Sequence, residues 1–318
     1  NVGESKGLDG EFGDLYKYGV RYLDEHRPKA FVAENVSGIN SGDSPALQQI
    51  LSELVTAGEG YKVTCELYKF EDYGVPQNRH RYVIVGIRKD LEREFHMPAP
   101  AHSLAESEPV TSESALTAPP PHLVGFGIGP GSIKEGAPQH EIRLPDPIVE
   151  RRLSVIPEGK NAWCEEVERD PELRINTRTK LSSIYRRLKR DQPAYTVTGS
   201  GGGGTYGYHW EENRALSNRE KARLQTFPDD FVFSGGKSSV RKQVGMAVPP
   251  YASKQVFTCL LGVLAGASSV ELPSSCADPK RAVTWRHECT PLATFSKDAF
   301  KELRETMGSG HRIDILVP

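Results

Sequence analysis

Glu34, Arg79 and Arg81 are the side chains whose types and spacing point most directly to chemistry. Glu34 follows the apolar run Ala30-Phe31-Val32-Ala33 and precedes Asn35 and Val36. That places an acid just past the carboxyl end of a buried strand, where side chains leaving an open α/β sheet converge on one crevice. An acid there can donate or accept a proton. A helix cap or a surface turn is the plainer use of a single Glu. Arg79 and Arg81 stand in Val75-Pro-Gln-Asn-Arg-His-Arg-Tyr82, which feeds the strand Val83 to Ile87. Two residues apart on extended chain, they point to one side and can hold an anion or a carbonyl oxygen. An exposed basic edge strand is the alternative. Gly199-Ser-Gly201-Gly202-Gly203-Gly204 follows a strand with the spacing of a dinucleotide fingerprint. That fingerprint requires a helix next, whose amino end holds the pyrophosphate. Thr205-Tyr-Gly-Tyr-His-Trp210 follows instead, turn-like and aromatic, and no Gly-Lys-Ser/Thr follows to make a phosphate loop.

Charge adds one local feature. The net charge is −2, which names no polyanionic partner, yet seven Lys and Arg and no acid lie between Arg174 and Arg190. A solvated helix face is the bland account of such a stretch; a phosphate-binding surface is the other. The stretch from Ala99 to Leu173 leans acidic. Five cysteines, odd in number and widely spaced, argue against a disulfide framework and for a reducing compartment. Cys276, His287 and Cys289 form a weak zinc pattern, since no paired Cys-x-x-Cys accompanies them. An apolar content of 37% with dispersed aromatics predicts a folded chain rather than a disordered one. No apolar run is long enough to span a membrane, and no signal peptide opens the sequence.

The elements that must position these residues read as follows. Leu15, Tyr18, Val20, Tyr22 and Leu23 recur at helical spacing between Gly13 and Arg27, and Pro28 closes the segment. A strand over Ala30 to Ala33, a helix over Pro45 to Ala57, and strands over Tyr61 to Phe70 and Tyr82 to Ile87 follow. Helix and strand alternate, which predicts an α/β layer with a mainly parallel sheet. Residues 97–150 are rich in Pro, Gly, Ser and Ala and predict loop-dominated structure. A strand spans Ala194 to Thr198. Ser217, with Glu220 three residues on, predicts a capped helix through Gln225. Gln243-Val-Gly-Met-Ala-Val-Pro-Pro250 predicts a glycine turn into a proline-started helix reaching Leu264. Residues 268–318 carry no usable motif.

Four stretches stand in a specific order: Glu34-Asn-Val, Gln77-Asn-Arg-His-Arg81, Arg223-Leu-Gln-Thr-Phe-Pro228, and Gly245-Met-Ala-Val-Pro249. In that order they resemble the cytosine-5 DNA methyltransferase family over about residues 1–90 and 190–262. The resemblance implies a partial Rossmann-like methyltransferase sheet with an inserted irregular/β target-recognition domain. It implies boundaries at 1–92 for the downstream part of the catalytic domain, 93–235 for target recognition, 236–266 for a helix returning to the catalytic domain, and 267–318 for an extension. It also implies methyl transfer from S-adenosyl-L-methionine to a cytosine flipped out of double-stranded DNA. In that family a cysteine thiolate adds to ring carbon six and makes carbon five nucleophilic. Glu34 would then serve ring nitrogen three, and Arg81, with Arg79 second, the cytosine carbonyl. Met246, Ala247 and Val248 would meet the cofactor. Arg174, Arg178, Lys180, Arg186, Arg187, Arg190 and the bare backbone of Gly201, Gly202 and Gly203 would meet DNA.

Two family features are missing from these 318 residues. None of the five cysteines stands in a Pro-Cys-Gln, and there is no Phe-x-Gly-x-Gly cofactor loop. Met246 also replaces an asparagine usual in the family, exchanging amide hydrogen bonds for a soft apolar contact. The expectation is a methyltransferase component, inactive alone and completed by another chain or segment carrying the nucleophile. A catalytically inactive DNA-binding homologue is the alternative. Either would be cytoplasmic and associated with the nucleoid.

Overall fold

Strand β4, His80–Arg88, is buried on both faces, and this sets the layer order. In the computed structural model, residues 13–40, 46–98, 108–142, 144–177, 179–199, 205 and 207–266 are described, with the backbone of 313–315. Tyr82 and Ile84 share one apolar cluster with Leu23 of α1 (Tyr16–His26) and with Leu47, Ile50, Leu51 and Leu54 of α2 (Ala46–Thr56). Val83, Val85 and Ile87 share another with Ala252, Val256, Cys259 and Leu260 of α9 (Pro250–Ala265). A strand covered on both sides needs a continuous apolar run rather than an alternating one, which Tyr82 to Ile87 supplies. α1 ends where Arg27 turns left-handed (φ 45°) ahead of Pro28.

The sheet order is β1 (Ala30–Val36), β4, β2 (Tyr61–Lys69), then β6 (Ile313–Ile315). β4 runs antiparallel to both β1 and β2. The mainly parallel sheet expected from the sequence is therefore corrected. β1 and β2 do share a direction, because α2 carries the chain back between them. The link from β2 to β4 holds only a single 3-10 turn, Phe70–Tyr73, and the two-residue β3 (Gln77–Asn78). A connection without a crossover element can only return the chain antiparallel. β4 thus inserts between two parallel neighbours.

The described residues of 97–150 are more ordered than their composition suggests: α3 (Ser112–Thr117) and α4 (Pro121–Val124) lie among them, and α5 (Pro147–Val155) begins there. Helix α6 is Glu165–Arg169. The predicted strand from Ala194 to Thr198 is short, β5 covering Ala194–Tyr195 and pairing parallel with β3. α7 (Asn218–Leu224) has its predicted cap, the Ser217 hydroxyl accepting from the Glu220 amide while the Glu220 carboxylate accepts from the Ser217 amide. Segment 236–266 holds two helices, α8 (Lys237–Met246) and α9. Among the described residues no helix is long and apolar enough to cross a membrane, and no cluster could hold a metal ion. Cys276, His287 and Cys289 lie outside the described residues.

Candidate active site

Glu34 lies within β1 rather than past its end, because β4 is long enough to keep pairing as far as Val36 opposite Arg81. Glu34 stands opposite Val83, and cross-strand partners share a face, so Glu34, Val36, Arg81 and Val83 all face the α9 side. On that face the Arg81 Nε donates to the Glu34 carboxylate at 2.7 Å, with side-chain exposures of 15% and 30%. Arg81 Nη1 also donates to the His80 carbonyl at 2.7 Å. The pair is thus held in a fixed geometry yet open enough to touch a ligand.

Arg79 does something different. It is 2% exposed, and its two Nη groups donate to the Val197 carbonyl at 3.1 Å and the Gly245 carbonyl at 3.2 Å. Burial, then the adjacent Arg81 charge, lowers its guanidinium to about 10. This geometry makes Arg79 a brace between β3–β4, the segment after β5, and the end of α8.

Two glutamines to which the sequence reading gave no role complete the brace. Gln77, fully buried, donates to the Leu224 carbonyl and the Gln225 side chain and accepts from the Val197 amide at 2.7 Å. Gln225, also fully buried, donates to the Val244 carbonyl at 2.6 Å. Buried amides must have such partners, and through them three of the four sequence motifs meet in one network. Nothing in the spacing of Gln-Asn-Arg or Arg-Leu-Gln marks them out, because the contact that joins them spans 148 residues.

Gly245 is on the last turn of α8 rather than in a free turn, as the sequence had suggested. A Cβ there would stand 1.9 Å from the Gly199 nitrogen and 2.1 Å from the Thr198 carbonyl carbon. Glycine is required because backbone meets backbone. Gly245→Ala should therefore cost about 3 kcal/mol, the upper end of overpacking, since no flexible side chain can yield. Urea unfolding should show a lower midpoint at unchanged slope; a wild-type midpoint would mean the two segments are free to part. Beyond Gly245, Met246 is 68% exposed and Val248 packs against the cluster beneath Val83. The third motif is structural: Arg223 holds Asp229 through two contacts of 2.9 and 2.6 Å, and Arg219 is 1% exposed.

The expected DNA-contacting residues divide. Among the described residues of 174–190 there is no helix, and most of the cations are already engaged. Lys180 pairs with Glu168 at 2.7 Å, and Arg174 Nε donates to the Glu168 carbonyl. Arg190 pairs with Glu158 at 3.0 Å, with Glu113 and Glu211 at 3.8 Å. Arg186 stacks on Tyr195, its guanidinium carbon 3.1 Å from the ring centre. Arg187 departs from the expectation outright. It is 3% exposed and donates to the carbonyls of His209, Glu212 and Leu153 and to Asn213 Oδ1. It is therefore a core bracket and not a DNA contact. Arg187→Ala would strand those acceptors, each worth about 1–3 kcal/mol when buried unsatisfied, so a loss of at least about 3 kcal/mol is expected in urea unfolding. An unchanged midpoint with weaker salt dependence of DNA binding would return Arg187 to the DNA surface. Arg178 and Gly201 to Gly203 lie outside the described residues.

An antiparallel strand set between parallel neighbours, with an acid–arginine pair on one face and four interlocked motifs, defines an α/β protein built around one polar site. The sequence model of the family described as C-5 cytosine-specific DNA methylase matches residues 1–261. The chain belongs to that family. It is 49% identical over 276 residues to the Type II methyltransferase M.BbvI of Brevibacillus brevis, covering 86% of this chain and 68% of the relative. It is 38% identical over 263 residues to the Type II methyltransferase M.NgoFVII of Neisseria gonorrhoeae, covering 82% and 66%. The chain thus spans about two thirds of the length of these relatives. A structure described as a prophage-encoded DNA modification methyltransferase of E. coli shares the fold at a TM-score of 0.60 and 21% identity, covering 82% of this chain and 77% of that one.

Proposed function

We propose that this chain is the downstream part of a DNA (cytosine-5-)-methyltransferase of the restriction-modification type, acting on a cytosine flipped from double-stranded DNA. The observation that carries the reading is the Glu34–Arg81 pair, 2.7 Å apart on the α9 face of the sheet. Glu34 hydrogen-bonds ring nitrogen three, where charge builds as the ring is attacked. Arg81 orients that carboxylate through Nε and has further donors for the cytosine carbonyl. Arg79, Gln77 and Gln225 fix the distance between this pair and the end of α8. Residues 1–92 and 236–266 act as one catalytic unit, with 93–235 as the target-recognition part.

S-adenosylmethionine supplies the methyl group. Met246, exposed at the end of α8, and Val248, packed beneath the Glu34 face, fit an apolar contact to it. Neither side chain can donate a hydrogen bond, so this turn gives packing only. The nucleophile comes from a segment with the Pro-Cys-Gln that these residues lack. Combined with such a segment, the chain should place methyl on carbon five of cytosine in duplex DNA, read by digestion to nucleosides. Methylation of adenine alone would overturn the reading. Met246 favours a second one, a DNA-binding homologue without activity; duplex binding with no methyl transfer in any combination would select it.

A further inference from the structure

The ladder between β2 and β4 ends at Lys69 opposite His80, one residue short of Arg79. Arg79 lies between β3 and β4 and belongs to neither. The 3-10 turn after β2 takes over there. The Phe70 amide donates to the Arg79 carbonyl at 3.0 Å, and the Glu71 carboxylate accepts from the Arg79 amide at 3.2 Å through Oε2. The other carboxylate oxygen, Oε1, meets the His80 Nε2. A side chain thus supplies the rung that one more β2 residue would have supplied with its carbonyl. The Glu71 side chain is 13% exposed against 40% for His80, so the carboxylate end of the contact is withdrawn from water. A backbone amide in such a place needs its acceptor, because burying an unmet N–H is costly.

This stretch of backbone carries the site. The His80 carbonyl accepts from Arg81 Nη1 at 2.7 Å, while Arg81 Nε reaches Glu34 at 2.7 Å. The Arg81 guanidinium is therefore fixed from two directions, by Glu34 and by the carbonyl of a residue that Glu71 holds. The Glu71 carboxylate bonds to Arg79 and His80 and not to Arg81, so its influence on the site runs through the backbone.

We propose that Glu71 is a positioning residue: by holding the Arg79–His80 backbone it sets the Arg81 guanidinium against Glu34 and the cytosine carbonyl. The proposal rests on the DNA-methyltransferase reading and deepens it. The rung requires an acceptor at position 71 rather than a charge, because a glutamine carbonyl can also accept from the Arg79 amide.

The test is steady-state methyl transfer to duplex DNA by the chain completed with an upstream segment carrying Pro-Cys-Gln. A displacement of about 1 Å in a reacting group can cost about a hundredfold in rate, so freeing this backbone should lower kcat at least about tenfold. Glu71→Leu, which keeps the bulk and removes the acceptor, should show that loss with KM for DNA unchanged. Glu71→Gln should recover most of it. A residue acting through Arg81 has nothing left to position once that guanidinium is gone, so Glu71→Leu should cost nothing further in an Arg81→Gln background. Losses that add in the double variant would overturn the proposal, as would a loss confined to KM or wild-type turnover by Glu71→Leu. Glu71→Gln as slow as Glu71→Leu would overturn the rung and place the requirement on charge. Should Glu71→Leu not fold, Glu71→Ala takes its place in each comparison, since water can then reach the Arg79 amide without holding the backbone. A completed wild type that transfers no methyl group would overturn the underlying reading together with the proposal, whereas an active wild type matched by Glu71→Leu would overturn the proposal alone.

Discussion

Glu34→Gln should leave duplex affinity unchanged and lower methyl transfer by at least about a hundredfold, the lower bound for a positioned acid acting in a transition state. A hundredfold is about 2.7 kcal/mol of barrier. The size separates two roles. If Glu34 served only as the anchor of Arg81, its loss would cost what a partly exposed ion pair contributes, about 1 kcal/mol or less, a few-fold in rate. The Glu34–Arg81 pair, 30% and 15% exposed, is of that kind. Arg81→Gln breaks the same pair from the other side and so provides the control. An effect of Glu34→Gln on kcat well beyond any effect it shares with Arg81→Gln would place the carboxylate on the ring. Near-normal turnover of Glu34→Gln would return it to a strand residue with an ion pair.

What could be read in the sequence depended on whether the signal was local. The Ser217 capping box, the α1 stop at Arg27-Pro28 and the helix after Pro249 each depend on residues within a few positions, and each stands as expected. The sheet direction did not, because it depends on what joins β2 to β4. Only the lack of a helical segment between Lys69 and His80 could have revealed it. Glu34 was identified but placed past the strand, since strand length is set by the partner and not by the strand's own residues. Arg187 shows the same limit for charge. In sequence it is one cation among seven, and only the fold shows three carbonyls and an amide oxygen gathered around it. Gln77 and Gln225 lie in plain view inside the motifs, yet the contact that joins them spans 148 residues. Long-range satisfaction of buried amides leaves no mark on spacing.

Alone, the 318-residue chain should transfer no methyl group to DNA, and mixed with an upstream half from a relative it should do so. Two structural features make this more than a matter of a missing thiolate. Among the described residues β1 pairs with β4 and with no other strand, leaving the backbone of Ala30–Val36 open along one side. An open edge next to Glu34 is a ready acceptor for a further strand, and a liability when nothing covers it. On α9, Phe257 and Leu261, four residues apart on one stripe, are 48% and 64% exposed, and on α1 Tyr18 and Tyr22 are 66% and 57% exposed. Apolar stripes of this kind mark surfaces that other chain covers. The isolated chain should therefore self-associate, and coexpression with a front half ending in a Pro-Cys-Gln loop should yield a soluble complex with a higher melting temperature. Tritiated methyl incorporation then separates the outcomes. Activity confined to the mixture would support a component completed by another segment, and changing the cysteine of that loop to serine should abolish it. Activity from the purified chain would sink this reading and require a nucleophile among its own cysteines. Cys65 is a poor candidate, since burial pushes its thiol to about 12 and keeps it protonated. A monodisperse chain that binds duplex DNA and gains nothing from any front half would instead be the inactive homologue that Met246 suggests.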